Sequence, residues 1–347
     1  MTDIFVTDRE GHEAAGILAR SRLAVEPALR LAIQTLPHAM QHIAAYHFGW
    51  QNADGSPVDG SAGKAIRPAL VLAATQALGG SREQAVPAAA AVELVHNFTL
   101  LHDDIIDHDP TRRHRPTVWT VFGTSNAILA GDAMQALAVR ILTEDAHPRA
   151  ADAAARLSKC VVELCEGQHS DCAFERRSDV SLDECLAMAE AKTGALLGCA
   201  CALGAVYAEA NEEAVEAMDA FGRQIGLAFQ LIDDLIGIWG DTSVTGKPVG
   251  ADLAARKKSL PVVAALRSAT PAALELAGIY GGERPLESDE VCRAANAVEL
   301  AGGRDWAQIQ ACERMADAIG HLSRAVPDGH AAGDLLALAE LATRRNR

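Results

Sequence analysis

Five aspartates in two groups are the first residues of this sequence whose types and spacing could do chemistry. In Leu100-Leu101-His102-Asp103-Asp104-Ile105-Ile106-Asp107, Asp103 and Asp107 are four apart and share one helix face, with Asp104 beside them. Like charges at that spacing weaken a helix by about 0.2–0.5 kcal/mol, so something other than helix stability favours them. A hard cation such as Mg2+ is held by one or two carboxylates together with substrate phosphates. A solvated acidic helix end is the plain alternative. The second group lies in Phe229-Gln230-Leu231-Ile232-Asp233-Asp234, near the C-terminal end of a long apolar stretch. There the helix dipole favours cations over carboxylates. Gln230 precedes Asp233 by three residues and shares its face.

Cations follow each group. After the first comes His108-Asp109-Pro110-Thr111-Arg112-Arg113-His114-Arg115-Pro116-Thr117, a loop by its two prolines. After the second come Thr245-Gly246-Lys247 and Arg256-Lys257-Lys258. Earlier, Gly63-Lys64-Ala65-Ile66-Arg67-Pro68 opens a helix, where Lys64 and Arg67 point together beside free N–H groups suited to an anion. Neighbouring acids and bases can simply neutralise one another. They can also grip a diphosphate, metal on one side and guanidinium forks on the other. His96 lies two turns before Asp103 on the same face, either as a core residue or as part of a polar cavity. Lys192, beside Thr193 in an Ala- and Leu-rich stretch, needs an anionic partner or must snorkel.

The elements that must position these groups are helices. Hydrophobic residues make up 49% of the 347, enough for a sizeable core, but aromatics are only 4% and Ala and Leu dominate, which favours helix over strand. Helical patterning runs over 13–45 with Pro27 and Pro37 as interruptions, then from Arg67 to about Leu78, and over the buried run Ala88–Leu101. It resumes over 121–142, 151–172, 182–207 and 212–239, and continues in the Ala- and Leu-rich remainder from 262. If the two acidic helix ends face each other across a bundle, divalent ions there neutralise a diphosphate as Lewis acids above an apolar shaft. The surplus cations then imply a second anionic group.

The net charge of −15 argues against non-specific nucleic-acid binding. Eight cysteines without a CxxC pair read as small core residues of a reducing cytosol. The N-terminus lacks a signal-peptide pattern, and no run reaches 18 apolar residues, so no transmembrane segment and a cytoplasmic location are expected. Residues 1–11 read as a flexible N-terminus and 12–347 as one domain.

The ordered set of motifs resembles the trans-isoprenyl diphosphate synthases, or polyprenyl synthetases, over about 63–261. Asp103-Asp104-Ile105-Ile106-Asp107 looks like that family's DDxxD motif and Gly63-Lys64-Ala65-Ile66-Arg67-Pro68 like its GKxxRP segment. Arg112-Arg113, Lys192-Thr193, Phe229-Gln230, Asp233-Asp234, Thr245-Gly246-Lys247 and Lys257 fall in the family's order. The resemblance implies an all-α, single-domain helical bundle around a deep central cavity. It implies Mg2+ (three ions with substrate bound, Mn2+ as a substitute) held by Asp103, Asp107 and Asp233, with Asp104 and Asp234 supporting. It assigns Arg112, Lys192, Lys247 and Lys257 to the allylic diphosphate, and Lys64, Arg67, His96 and Arg113 to isopentenyl diphosphate. Thr193 and Gln230 line the reacting centre. A homodimer is implied, and some bacterial members travel inside protein shells, a partner the sequence does not indicate.

The second motif departs from the family. It reads Asp233-Asp234-Leu235-Ile236-Gly237, without the third carboxylate, and Asp241 is the replacement considered from sequence. Product length is read at Phe98 and Thr99, five and four residues before Asp103. A phenylalanine at the first of these resembles short-chain synthases, and the expected product is geranylgeranyl diphosphate, C20. A farnesyl or longer-chain synthase, a class I terpene cyclase and a non-catalytic partner subunit are the alternatives.

Overall fold

The computed structural model describes residues 4–58, 63, 65–240, 249–282 and 284–343, with side chains from residue 13. Lys64 and Lys247, both expected at the site, lie outside the described residues, as does Asp241. Helices dominate: α1 Ile4–Ile33, α2 His38–His47, α3 Ile66–Ala77, α4 Val86–Ile106, α5 Val118–Phe122, α6 Thr124–Thr143, α7 Ala150–Phe174, α8 Leu182–Ala189, α9 Ala195–Tyr207 and α10 Glu212–Trp239. Beyond these lie α11 Ala251–Ala254, α12 Leu260–Leu266, α13 Pro271–Tyr280, α14 Ser288–Leu300, α15 Gly303–Ala325 and α16 Gly333–Thr343.

Three local features differ from the sequence expectation. Helix α1 begins at Ile4, earlier than residue 13, and contains Pro27 without ending there, whereas Pro37 does separate two helices as the N-cap of α2. The basic loop after Asp107 holds a short antiparallel hairpin, β1 Thr111–Arg112 with β2 Arg115–Pro116. Its two turn residues, Arg113 and His114, both have positive φ, 51° and 61°. Primed hairpin turns require that backbone, normally with Asn-Gly, so a basic turn gave no signal. Between α8 and α9, Glu190–Gly194 forms one turn of π-helix around Lys192 and Thr193. Such bulges insert one residue into a helix and re-aim its side chains.

The chain packs as two compact units. The first comprises Met1–Val161, Cys199–Asp219 and His321–Leu341; the second comprises Val162–Gly198, Ala220–Gly320 and Ala342–Arg347. In the first unit α4 packs against α1, α3 and α6. From Ala88 to Val95 every residue of α4 is buried, so this helix is enclosed all round, as its Ala-rich sequence requires. In the second unit one core joins Phe174, Cys185, Leu227, Leu231, Leu260 and Val263, and another joins Ile238, Leu253, Val262, Leu276 and Val298. The described helical run Leu182–Tyr207 is long and apolar enough to cross a membrane, but it is 72% buried within the protein.

Backbones approach closely where glycine replaces a side chain. A Cβ on Gly222 of α10 would lie 2.3 Å from the Leu197 carbonyl oxygen, and one on Gly226 only 2.5 Å from the Gly194 Cα. Gly222→Ala is therefore expected to cost roughly 1–3 kcal/mol in urea unfolding, the range for overpacking a close-packed contact. Gly278→Ala, at an exposed helical site with nothing within 4 Å, should instead be neutral or stabilise by roughly 0.5–1 kcal/mol. Equal effects of the two would refute the packing argument.

Candidate active site

In the first unit the acidic end of α4 is divided by burial. Adjacent helical residues point about 100° apart, so one of each aspartate pair turns inward. Asp104 is 2% exposed, Asp103 is half-buried, and Asp107, the C-cap, is exposed. The hairpin brings Arg112 Nε within 2.6 Å of Asp104 Oδ1, where it donates a charge-assisted bond. Burial holds the Asp104 carboxyl above the usual carboxylate range, and Arg112 opposes that shift. A cavity of about 200 Å³ opens beside the pair, lined by Tyr46, His47, Asp104, Arg112, Arg113 and Arg115 among others. His47 Nε2 is buried with no hydrogen-bond partner among the described residues, and burial lowers its pKa to about 3, so the ring is neutral.

A second basic group surrounds a buried acid on the same helix. Glu93 is 5% exposed and accepts from Asn97 Nδ2 at 3.1 Å. Burial raises its pKa to about 7, against the pull of Arg67, Arg113 and Arg22. Arg67 Nη1 donates to His96 Nε2 at 3.2 Å, which assigns the proton of His96 to Nδ1. Burial, with Arg67 next, pushes the His96 pKa well below its ordinary value. His96 therefore orients a cation and is not one itself. Gly63 supplies a backbone kink at φ 75°, and the Arg113 guanidinium sits where its Cβ would be, 2.5 Å away. Arg22 Nη2 donates to the Gly63 carbonyl at 2.6 Å, anchoring the start of the GKxxRP segment.

In the second unit the same division recurs. Asp233 is half-buried and Asp234 is 4% exposed. Asp234 Oδ1 accepts from Gln230 Nε2 at 2.8 Å and Oδ2 from the Leu260 N–H at 2.9 Å, at the first turn of α12. Burial still raises its pKa to about 6. With its amide nitrogen committed to Asp234, Gln230 presents Oε1 to the Thr193 hydroxyl, which donates at 2.8 Å. The π turn thus sets Thr193 into a chain of bonds running Thr193, Gln230, Asp234, Leu260. Lys192 finds its anionic partner in Asp171 of α7, at 2.6 Å. A small cavity of about 60 Å³ is lined by Asp171, Lys192, Thr193, Gln230, Asp234 and Lys257 among others.

Each unit therefore gathers most of its predicted residues: Arg67, His96, Asp103, Asp104, Asp107, Arg112 and Arg113 in the first, Lys192, Thr193, Gln230, Asp233, Asp234 and Lys257 in the second. Asp104 and Asp234 spend their carboxylates inside the protein. Phe98 is 8% exposed and meets His102 edge-on, with ring centroids 5.0 Å apart. Thr99 returns its hydroxyl to the His96 carbonyl at 2.8 Å. Sequence reasoning missed His47, Glu93 and Asp171. Only Asp171 had a signal, the need of Lys192 for an anion. Among the described residues no three of His, Cys, Asp and Glu stand close enough to hold a metal ion alone. Half-exposed carboxylate oxygens in ones and twos suit Mg2+, which takes its remaining ligands from phosphate and water.

A family model described as Polyprenyl synthetase matches residues 58–298. The chain is 51% identical over 330 residues to the geranylgeranyl diphosphate synthase of Mycobacterium tuberculosis, covering 95% of this chain and 93% of that protein. It is 44% identical over 330 residues to the (2E,6E)-farnesyl diphosphate synthase of Mycobacterium bovis, covering 94% and 92%. The crystal structure of a polyprenyl synthetase from Streptomyces coelicolor A3(2) matches with a TM-score of 0.88 at 44% identity, covering 94% of this chain and 98% of that one. The chain belongs to the polyprenyl synthetase family of prenyl-transferring enzymes, in agreement with the resemblance carried by its motifs.

Glu93 gives a pH prediction. Its folded pKa of about 7 exceeds the ordinary 4.5, so its stabilising contribution is complete below pH 4.5 and is lost as pH rises through 7. The shift corresponds to roughly 3 kcal/mol. Glu93→Gln stays neutral throughout, so its unfolding free energy should gain about that much on wild type between pH 5 and pH 8. A constant difference would mean that Glu93 is ionised in the folded protein at both pH values.

Proposed function

We propose that this enzyme is a Mg2+-dependent geranylgeranyl diphosphate synthase, condensing isopentenyl diphosphate with an allylic prenyl diphosphate, and that residues 12–347 are one catalytic domain. The observation that carries the product assignment is the 51% identity, over almost the whole chain, to a protein named as a geranylgeranyl diphosphate synthase. The farnesyl diphosphate synthase stands lower, at 44%. Buried Phe98 on α4, upstream of Asp103, supports a short product.

Asp103, Asp107 and Asp233 are the proposed ligands of Mg2+, which when bound supplies Lewis-acid neutralisation of the allylic diphosphate as it leaves. Asp104 holds Arg112 and Asp234 holds Gln230, so both act by positioning. Arg112, Lys192, Lys247 and Lys257 are assigned to that diphosphate, and Lys64, Arg67 and Arg113 to isopentenyl diphosphate, with His96 orienting Arg67. Thr193 turns its proton toward Gln230, leaving oxygen lone pairs for positive charge developing at the reacting carbon. The isopentenyl double bond attacks that carbon, and the adduct loses a proton, for which the released diphosphate is the available base. A cytosolic homodimer is the assembly that this reading carries.

Purified protein with Mg2+, isopentenyl diphosphate and farnesyl diphosphate should form C20 diphosphate as the main product in radiolabelled or mass-spectrometric assay. Hydrocarbon release without isopentenyl diphosphate would favour a cyclase, and no turnover would favour a partner subunit. Phe98→Ala should lengthen the main product by one or more C5 units. An unchanged chain length after dephosphorylation and chromatography would remove Phe98 as the floor.

A further inference from the structure

The π turn Glu190–Gly194 lies between α7 and α10, and each helix meets it with a polar residue, a glycine and a second polar residue. On α7, Glu163, Gly167 and Asp171 follow at i, i+4 and i+8 and share one face. Asp171 holds the Lys192 ammonium at 2.6 Å. Gly167 lets the two backbones close, since a Cβ there would lie 2.5 Å from the Lys192 nitrogen. On α10, Arg223, Gly226 and Gln230 follow at i, i+3 and i+7, again one face. Gln230 accepts from the Thr193 hydroxyl at 2.8 Å, and a Cβ on Gly226 would lie 3.2 Å from the Thr193 carbonyl oxygen.

The remaining member of each set joins the two helices. Arg223 donates from Nη1 to Glu163 Oε1 at 2.5 Å and from Nη2 to Glu163 Oε2 at 2.9 Å, a two-pronged pair between α10 and α7. The same Nη1 lies 3.7 Å from Oε1 of Glu190, the first residue of the π turn. All three residues are half-buried, so solvent screens them less than a surface pair. One guanidinium thus ties α7, α10 and the start of the π turn together. Glu163, Glu190 and Arg223 are not among the described residues that line the cavity with Lys192 and Thr193. A π turn is the rarer state of a helix, and these neighbours supply an outside hold on it.

We propose that Arg223 is a positioning residue for the prenyl transfer: with Glu163 and Glu190 it clamps α7 and α10 onto the π turn and so fixes where Lys192 and Thr193 stand. This rests on the roles given to Lys192 and Thr193 above and adds three residues that act through them. Released from the guanidinium, the turn loses its tie at Glu190, and the Thr193 hydroxyl and Lys192 ammonium lose their fixed places. The rival account is a plain helix-to-helix ion pair that contributes stability and leaves the chemistry of the folded enzyme unchanged.

A double-mutant cycle separates the two, with farnesyl and isopentenyl diphosphates as substrates and Mg2+ present. Arg223→Gln should lower kcat by about 10- to 100-fold, the scale for a small misplacement of reacting groups. Its KM for isopentenyl diphosphate, assigned to the first unit, should stay within about twofold of wild type, because positions without shared partners act independently. In a Thr193→Ala background the kcat effect of Arg223→Gln should shrink by about threefold or more, since a group it positions is gone. Calorimetric binding of an unreactive farnesyl thiolodiphosphate should likewise weaken in Arg223→Gln but not once Lys192 is alanine. Arg223→Lys keeps the charge but cannot span both Glu163 oxygens, so it should fall between Arg223→Gln and wild type. Far-UV circular dichroism and melting establish folding, and Glu163→Gln unmakes the same pair from α7 should Arg223→Gln not fold. A folded variant with wild-type kcat and a lowered melting temperature would overturn the proposal, as would one factor of loss in every background. If Thr193→Ala and Lys192→Ala themselves behave as wild type, the roles given to those residues fall, and the proposal with them.

Discussion

The burial of one carboxylate in each aspartate pair is the constraint from which the rest of the site follows. A desolvated carboxylate must be met by donors, or it loses its charge. Asp104 is met by Arg112, and that need gives the hairpin after α4 its purpose. Asp234 is met by Gln230 and by the first N–H of α12, which fixes the amide and, through it, the Thr193 hydroxyl. The neighbours Asp103 and Asp233 remain half-buried because helical geometry turns them away from the inward residue. One rotation of about 100° thus separates a positioning residue from a proposed metal ligand in both units.

Close helix packing supplies the precision. Glycines on α10 let its backbone touch the segment that carries the π turn, and that turn aims Lys192 and Thr193. Alanines along α4 perform the same service in the first unit, where the helix is enclosed from Ala88 to Val95. A side chain of ordinary size at these contacts would move polar groups whose bonds tolerate only a few tenths of an ångström.

Charge balance explains why so many cations can stand together before any diphosphate is present. Asp104 holds Arg112, and Asp171 holds Lys192. His47 and His96 are kept neutral, so they add no repulsion. Arg67 and Arg112 are thus held in place by His96 and Asp104, which would reduce the reorganisation required of the proposed diphosphate site on binding.

The sequence by itself determined the helical class, the family and the chemistry, because these depend on residue types and on spacings within one element. The i, i+4 separation of Asp103 and Asp107, the extent of 212–239 and the order of the basic segments are all local facts. Tertiary structure alone decided which carboxylate of each pair is spent on folding, that Arg113 and His114 form a left-handed turn, and that Lys192 lies in a π turn against Asp171. Linear spacing records how residues repeat along a helix. It carries no record of burial or of approach between distant segments, and those set the surroundings of Asp104, Asp234 and Glu93.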